Sequence, residues 1–237
     1  MLFSVKSVVK RVLPPGILDR IRSVRVAAAE YSHAFRRARA ARMQFYSGLG
    51  DSNTILYALV RSMKPTIVVE IGSARGKSTC AIASGLRENG HGKLYAIDPH
   101  TPTDWNDASS VDTFSILRRN IATLGLTKQV EIIRSVSEDA ARGWSRPIDL
   151  IFIDGDHSYE GVKRDWEMFV KHVTRFGIVV FHDTIWDITP PNEWTRSDMG
   201  VPRFVDELRQ QGYQILTIGR DYGVSIVQPI IGGIPLR

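Results

Sequence analysis

The sequence predicts a doubly wound α/β fold of seven strands, mostly parallel, with an antiparallel C-terminal hairpin strand and a helical extension before it. Three observations predict it. From about Leu56, apolar runs bounded by turn residues alternate with helical stretches, which implies crossover units on a parallel sheet. The first run ends in a glycine turn, Gly72-Ser73-Ala74-Arg75-Gly76-Lys77-Ser78-Thr79, that opens a helix. The last two runs are joined only by Arg220-Asp221-Tyr222-Gly223, so they form a hairpin.

The elements follow in order. Residues 1–13 carry Leu2, Val5, Val9 and Val12 around Lys6, Lys10 and Arg11, a helical spacing with a basic face. Pro14-Pro15-Gly16 breaks the chain, and Ile17, Ile21, Val24, Ala28, Tyr31 and Phe35 predict a second helix to Tyr46. Strands are expected at Thr66–Glu70, Lys93–Asp98, Val130–Arg134, Ile148–Asp154 and Gly177–His182. Helices fall at Ser78–Glu88, Thr113–Leu124, Ser137–Gly143 and Tyr159–Val173. A helix near Val201–Gln211 leads into strands Tyr213–Ile218 and Val224–Gln228. Residues 1–50 form the basic extension and 51–237 the α/β domain.

Composition narrows the function. A chain of 237 residues with 43% apolar and 24% charged residues is globular, not disordered or fibrous. A single cysteine, Cys80, excludes a disulfide framework and a thiolate metal cluster, and fits a reducing, cytoplasmic compartment. No run of about 18 uncharged apolar residues exists to span a membrane. The net charge of +6 is unevenly placed: residues 1–45 carry +8 and the remainder −2. Basicity therefore belongs to the extension, and a nucleic-acid partner is not expected. The early lysines do not suit a secretory signal. The extension reads as a helical segment packing on its own domain or on a second copy, with a peripheral membrane contact or an organelle transit peptide as alternatives. A homo-oligomer is expected.

Two ligand classes use a glycine turn between strand and helix, because there the backbone approaches a ligand with free N–H groups. A phosphate loop requires four residues between its glycines before Lys-Ser/Thr. Gly72 and Gly76 are separated by three, one short, although Leu150-Ile151-Phe152-Ile153-Asp154 would pass for its magnesium-holding strand. A nucleoside-binding turn instead pairs the glycines with an acid after the second strand that accepts from both ribose hydroxyls. Asp98 stands there, and Glu70 closes the first strand.

The stretch Glu70–Thr79 followed by Tyr95-Ala96-Ile97-Asp98 resembles the class I S-adenosylmethionine-dependent methyltransferases, whose sheet is Rossmann-like. The resemblance implies that Gly72, Ser73 and Gly76 border the methionine part of S-adenosylmethionine, with Ser78, which opens the helix, also among the cofactor-binding residues. Asp98 would hold the ribose, Glu70 would orient the turn or meet the ammonium through water, and Ser135, Val136 and Ser137 would border the adenine. Ser137-Glu138-Asp139 also suits a plain helix start.

A second constellation lies at the ends of strands four and five: Asp154, Asp156 and His157, then His182 and Asp183. In an open parallel sheet these ends adjoin the ligand crevice. Grouped acids require a cation or a proton, and a hard divalent metal with oxygen ligands is the natural partner. Asp154-Gly155-x-His157 through Asp165, with His182-Asp183, resembles the metal-dependent O-methyltransferases related to macrocin O-methyltransferase and the cephalosporin-hydroxylase-like proteins. That resemblance covers about Leu56–Gln228. It implies Asp154, His182 and Asp183 as ligands of magnesium, or of manganese, with Asp154 also bordering the cofactor and His157 as the proton acceptor. His182 departs from the acidic pair of that family, and imidazole suits manganese or iron better than magnesium. The reaction implied is methyl transfer to a hydroxyl whose pKa the metal lowers, with the imidazole taking the proton. Trp105, Trp186 and Trp194, with nearby acids on two loops, suit a sugar or polyol acceptor; a catechol-like phenol is the alternative.

Overall fold

The computed structural model describes residues 47–103, 105, 111–190 and 196–229. The helices expected within residues 1–46 lie outside them. The described residues belong to one compact unit, Gln44–Arg237. Its elements are α1 (Asn53–Met63), β1 (Ile67–Ile71), α2 (Lys77–Asn89), β2 (Lys93–Ile97), α3 (Thr113–Thr123), β3 (Val130–Ile133), α4 (Ser137–Arg142), β4 (Ile148–Ile153), α5 (Tyr159–Phe169), β5 (Val173–His182), α6 (Val201–Gln210), β6 (Gln214–Ile218) and β7 (Val224–Gln228). Short 3-10 turns stand at Val170–His172 and Trp186–Ile188.

The sheet runs β3-β2-β1-β4-β5-β7-β6. The first five strands are parallel, and β7 inserts antiparallel between β5 and β6. The order reverses between β1 and β4, which opens a crevice beyond their carboxyl ends. Val68 pairs with Leu150 and Ile71 with Ile153, so both strands end at one level.

Successive strand residues face opposite layers. Val69, Ile71, Ile151 and Ile153 pack with Trp166 and Phe169 of α5 and Phe204 of α6. Trp166, Phe181 and Phe204 form an aromatic triangle with ring centroids 5.8–6.2 Å apart. Burying each such ring contributes roughly 1.5–3 kcal/mol. The alternate residues Val68, Leu150 and Phe152 are equally buried. Glu70 shares their direction and meets Thr79 of α2. On that side Gly85 of α2 lies against Val60 of α1; a Cβ there would stand 2.8 Å from Val60 Cγ1, so the helices cross at close range.

Two boundaries differ from the sequence expectation. The helix expected to reach Val173 stops at Phe169, and β5 begins at Val173 rather than Gly177. Val173 pairs with Ile148, then the register shifts before Leu150 pairs with Ile178. A Cβ on Gly177 would stand 2.9 Å from Ile148 O, so this irregularity requires a residue without one. Helix α1 was not expected. Asp51-Ser52-Asn53 supplies a start signal for it, although Ser52 makes no side-chain cap and the first turn holds no acid.

Candidate active site

The β1–α2 turn is shaped by three left-handed residues, Gly72 (φ +88°), Ala74 (φ +41°) and Gly76 (φ +87°). A Cβ on Gly72 would stand 2.1 Å from Asp154 O, so only glycine allows β1 to end against β4. Gly72 N donates to Ile97 O and Asp154 N donates to Ile71 O, each at 2.9 Å, tying the ends of β1, β2 and β4 together. Asp98 Oδ2 accepts from Ala74 N at 2.8 Å and its Oδ1 accepts from His100 N at 2.7 Å. The acid after β2 thus braces the glycine turn directly. His100 is oriented by Thr113 Oγ1, 3.0 Å from its Nδ1.

Three buried polar atoms in this region lack a protein partner: Glu70 Oε1, Ser73 Oγ and His100 Nε2. Orphaned buried polar atoms are costly, and this grouping leaves hydrogen-bonding capacity that a ligand or water could fill. Burial pushes the Glu70 carboxyl up to about 8, against hydrogen bonds from Ser78 and Thr79. Ser78 is buried with Glu70 at the start of α2. Ser135, Val136 and Ser137 follow β3 at the same sheet edge. Val136 is exposed. Ser135 Oγ donates to Val136 O, and Ser137 Oγ donates to Asp165 Oδ1 at 2.5 Å.

The second constellation converges beyond β4 and β5. His182 Nδ1 lies 3.2 Å from both Asp154 Oδ1 and Asp183 Oδ1. His157 Nδ1 lies 3.0 Å from Asp183 Oδ2. Asp183 therefore serves two imidazoles with its two oxygens. It adopts φ +60°, a left-handed conformation that costs a non-glycine residue about 1 kcal/mol and persists only where its surroundings impose it. Burial opposes the charge of Asp183, but His182 and His157 outweigh it and hold the carboxyl far below its usual range. The imidazoles respond in the opposite sense: burial opposes their charge, yet Asp183 and Asp154 raise both pKa values above 6.5.

The donor set suits a divalent cation. One ligand atom each from Asp154, His182 and Asp183 lies within 4.8 Å of the others. His182 Nε2 donates to Asp221 O at 2.8 Å, which in the neutral ring leaves the Nδ1 lone pair facing the two carboxylates. The Asp154 side chain is 17% exposed, so the group opens to the crevice. Asp156 does not join it: its Oδ1 accepts from Ser158 N at 2.9 Å and Arg164 lies on its other oxygen.

Two loops meet over His157. The Trp105 ring stands edge-on to it at 5.3 Å, and the Arg196 guanidinium lies 4.1 Å over Trp105. Gly200 N donates to His157 O at 2.8 Å. A groove of about 470 Å³ next to Arg196 is lined by Trp186, Asp187, Ile188, Thr189 and Met199. Trp194 lies outside the described residues.

Two site residues escaped the sequence reading. Asp165 is buried on α5 and holds Ser137; burial pushes its carboxyl up to about 7. Its place at the end of an acid-histidine stretch was visible, but its contact with a serine 28 residues away was not. Asp221 read only as a turn residue.

Residues 69–184 match the family model described as a methyltransferase domain. An uncharacterised protein, R132, of Acanthamoeba polyphaga mimivirus is 29% identical over 117 residues, 48% of this chain. That match spans only 50% of the viral protein. Among solved structures, the chain is similar to the S-adenosylhomocysteine-bound methyltransferase PaMTH1 of Podospora anserina (TM-score 0.62, 16% identity, 92% of this chain and 97% of that one). It is similar to the O-methyltransferase TomG of Streptomyces achromogenes in complex with S-adenosylmethionine (0.59, 18%, 83% and 88%). A third is an O-methyltransferase of Bacillus cereus with S-adenosylhomocysteine (0.57, 18%, 92% and 93%). The strand order, the glycine turn braced by Asp98 and the match over residues 69–184 agree: this stretch matches a methyltransferase domain, on a fold shared with S-adenosylmethionine-dependent methyltransferases.

Proposed function

We propose that this chain transfers a methyl group from S-adenosylmethionine to a hydroxyl, with a divalent cation held by Asp154, His182 and Asp183 and with His157 as the proton acceptor. The observation that carries this reading is the division of Asp183, one oxygen facing the His182 ligand set and the other His157 Nδ1. An ionised carboxylate beside Nδ1 fixes the N–H there and leaves Nε2 with its lone pair, the form a base requires. A cation bound in the ligand set supplies Lewis acidity toward the acceptor oxygen. His157 Nε2 takes the hydroxyl proton, the oxygen attacks the sulfonium methyl in line, and the carbon–sulfur bond breaks with its electrons returning to sulfur. The residues after β1 and β2 hold the donor, and those after β4 and β5 hold the acceptor, so orientation contributes much of the rate.

A sugar or polyol acceptor is supported by Trp105 and Trp186 at the loops, with Asp187 and Arg196 as hydroxyl partners. The imidazole in the donor set favours manganese over magnesium. No helix among the described residues is long and apolar enough to cross a membrane; the basic segment 1–45 would serve contact with a second copy or an anionic surface. The test is transfer of label from methyl-tritiated S-adenosylmethionine to a panel of glycosides, polyols and catechols. Label entering hydroxyls of the first two classes supports the reading, and label entering none of the panel overturns it.

A pH effect follows from Glu70. Its carboxyl is protonated below about 8 because it is buried, and Oε1 lacks a partner. The ammonium of the bound cofactor, reached through water, would favour the carboxylate, so binding near pH 7 should release a proton. Affinity for S-adenosylhomocysteine should therefore rise with pH up to about 8. Calorimetry in two buffers of different ionisation enthalpy measures the proton count, which should drop to zero in Glu70→Gln. Equal apparent enthalpies in both buffers for the parent protein would show that Glu70 does not sense the cofactor.

A further inference from the structure

We infer that Asp221, on the turn between β6 and β7, is a positioning residue for the His182 ligand, which presupposes the cation proposed above. Gly223 N donates to Arg220 O at 2.9 Å, and both central residues are left-handed, Asp221 at φ +49° and Tyr222 at φ +67°. That is the primed turn a two-residue hairpin favours. In an ordinary hairpin the carbonyl between the central residues faces water. Here it accepts from His182 Nε2 at 2.8 Å and decides which ring nitrogen faces Asp154 and Asp183. A metal-bound histidine requires such an acceptor to fix its tautomer and ring plane.

The Asp221 side chain anchors the carbonyl. Its Oδ2 accepts from Asp51 N at 2.8 Å, Ser52 N at 2.9 Å and Ser52 Oγ at 3.0 Å. Gly50 passes so close that a Cβ would stand 2.3 Å from Asp221 Cγ. The neighbouring backbone is held as well: Ile185 N donates to Tyr222 O at 3.0 Å, two residues past Asp183. The turn thus grips the His182 ring and the chain just past the ligand pair, and one carboxylate ties the turn to the segment before α1. A residue 39 positions from His182 in sequence sets its chemistry.

Asp221→Gly keeps the left-handed turn accessible and removes the anchor; Asp221→Asn keeps an acceptor oxygen. The full chain is titrated with Mn²⁺, free ion being read by electron paramagnetic resonance, and S-adenosylhomocysteine affinity is measured in parallel. Asp221→Gly should raise the Mn²⁺ Kd about 10–100-fold, the usual effect of losing a partner behind a metal ligand. Cofactor affinity should be unchanged, and Asp221→Asn should restore most of the Mn²⁺ affinity. A parental Kd in Asp221→Gly, even with a lowered melting temperature, overturns the positioning role and leaves the metal site standing. A parent chain that takes up no Mn²⁺ overturns the metal reading itself, and the role of Asp221 falls with it. Should Asp221→Gly not fold, Ser52→Ala removes one anchor bond; its Kd should move in the same direction, and an unmoved Kd overturns the role.

Discussion

His157→Ala should lower kcat about 10²–10⁴-fold, the usual worth of a positioned general base. The loss is expected in kcat because, in the proposed mechanism, Nε2 acts on the acceptor proton in the reaction step, while S-adenosylhomocysteine affinity should stay at the parental value. The rate of the parent enzyme should fall as pH falls and the imidazole protonates, and that limb should vanish in the variant. The geometry behind this is the 3.0 Å contact of His157 Nδ1 with Asp183, which leaves one nitrogen facing away from the carboxylate. Single-turnover methyl transfer at several pH values measures both effects. A parental rate for His157→Ala would overturn its assignment as the base; Asp156 is engaged by Ser158 N and Arg164.

Chelation should remove methyl transfer and leave cofactor binding intact. The proposed ligand atoms come from Asp154, His182 and Asp183, whereas the orphaned Glu70 Oε1 and Ser73 Oγ lie at β1 and its turn. A Lewis acid contributes several kcal/mol to such a step, so Asp154→Asn should lose about 10²–10³-fold in rate at one tenfold per 1.36 kcal/mol. Excess Mn²⁺ should restore little, because the amide oxygen is a weaker ligand than the carboxylate. Full activity in chelator, measured after dialysis against it, would overturn the metal assignment and leave His182 as a buried imidazolium bridging two acids.

Much of this architecture could be read from residue order. The five parallel strands and the hairpin were legible because each apolar run is bounded by turn residues and because Gly72 and Gly76 mark the tightest turn. Asp98, Asp154 and Asp183 were legible because they stand at strand ends, and a parallel sheet brings those ends together. What stayed hidden was contact between distant segments. That Asp183 divides itself between two histidines depends on its left-handed backbone, which no local pattern signals. Asp165 sits on an amphipathic helix, where an acid between Val162 and Trp166 reads as surface until the α4 start is laid against it. The break between α5 and β5 was misjudged because Val170–Val173 suits either element, and pairing with Ile148 decides it.

The missing side chain at Gly72 has a consequence for how such an enzyme can diversify. With Asp154 O where a Cβ would stand, donor turn and ligand strand meet backbone to backbone, and their spacing depends on no rotamer. Protein interiors resist compression and transmit strain, so in the proposed reaction the spacing of donor and acceptor would be set by the sheet itself. The loops that carry Trp105 and Arg196 lie outside that contact. Under the proposed reaction, new acceptors would therefore be accommodated by exchanging loop residues, while the length of the reaction path stays fixed from one acceptor to the next.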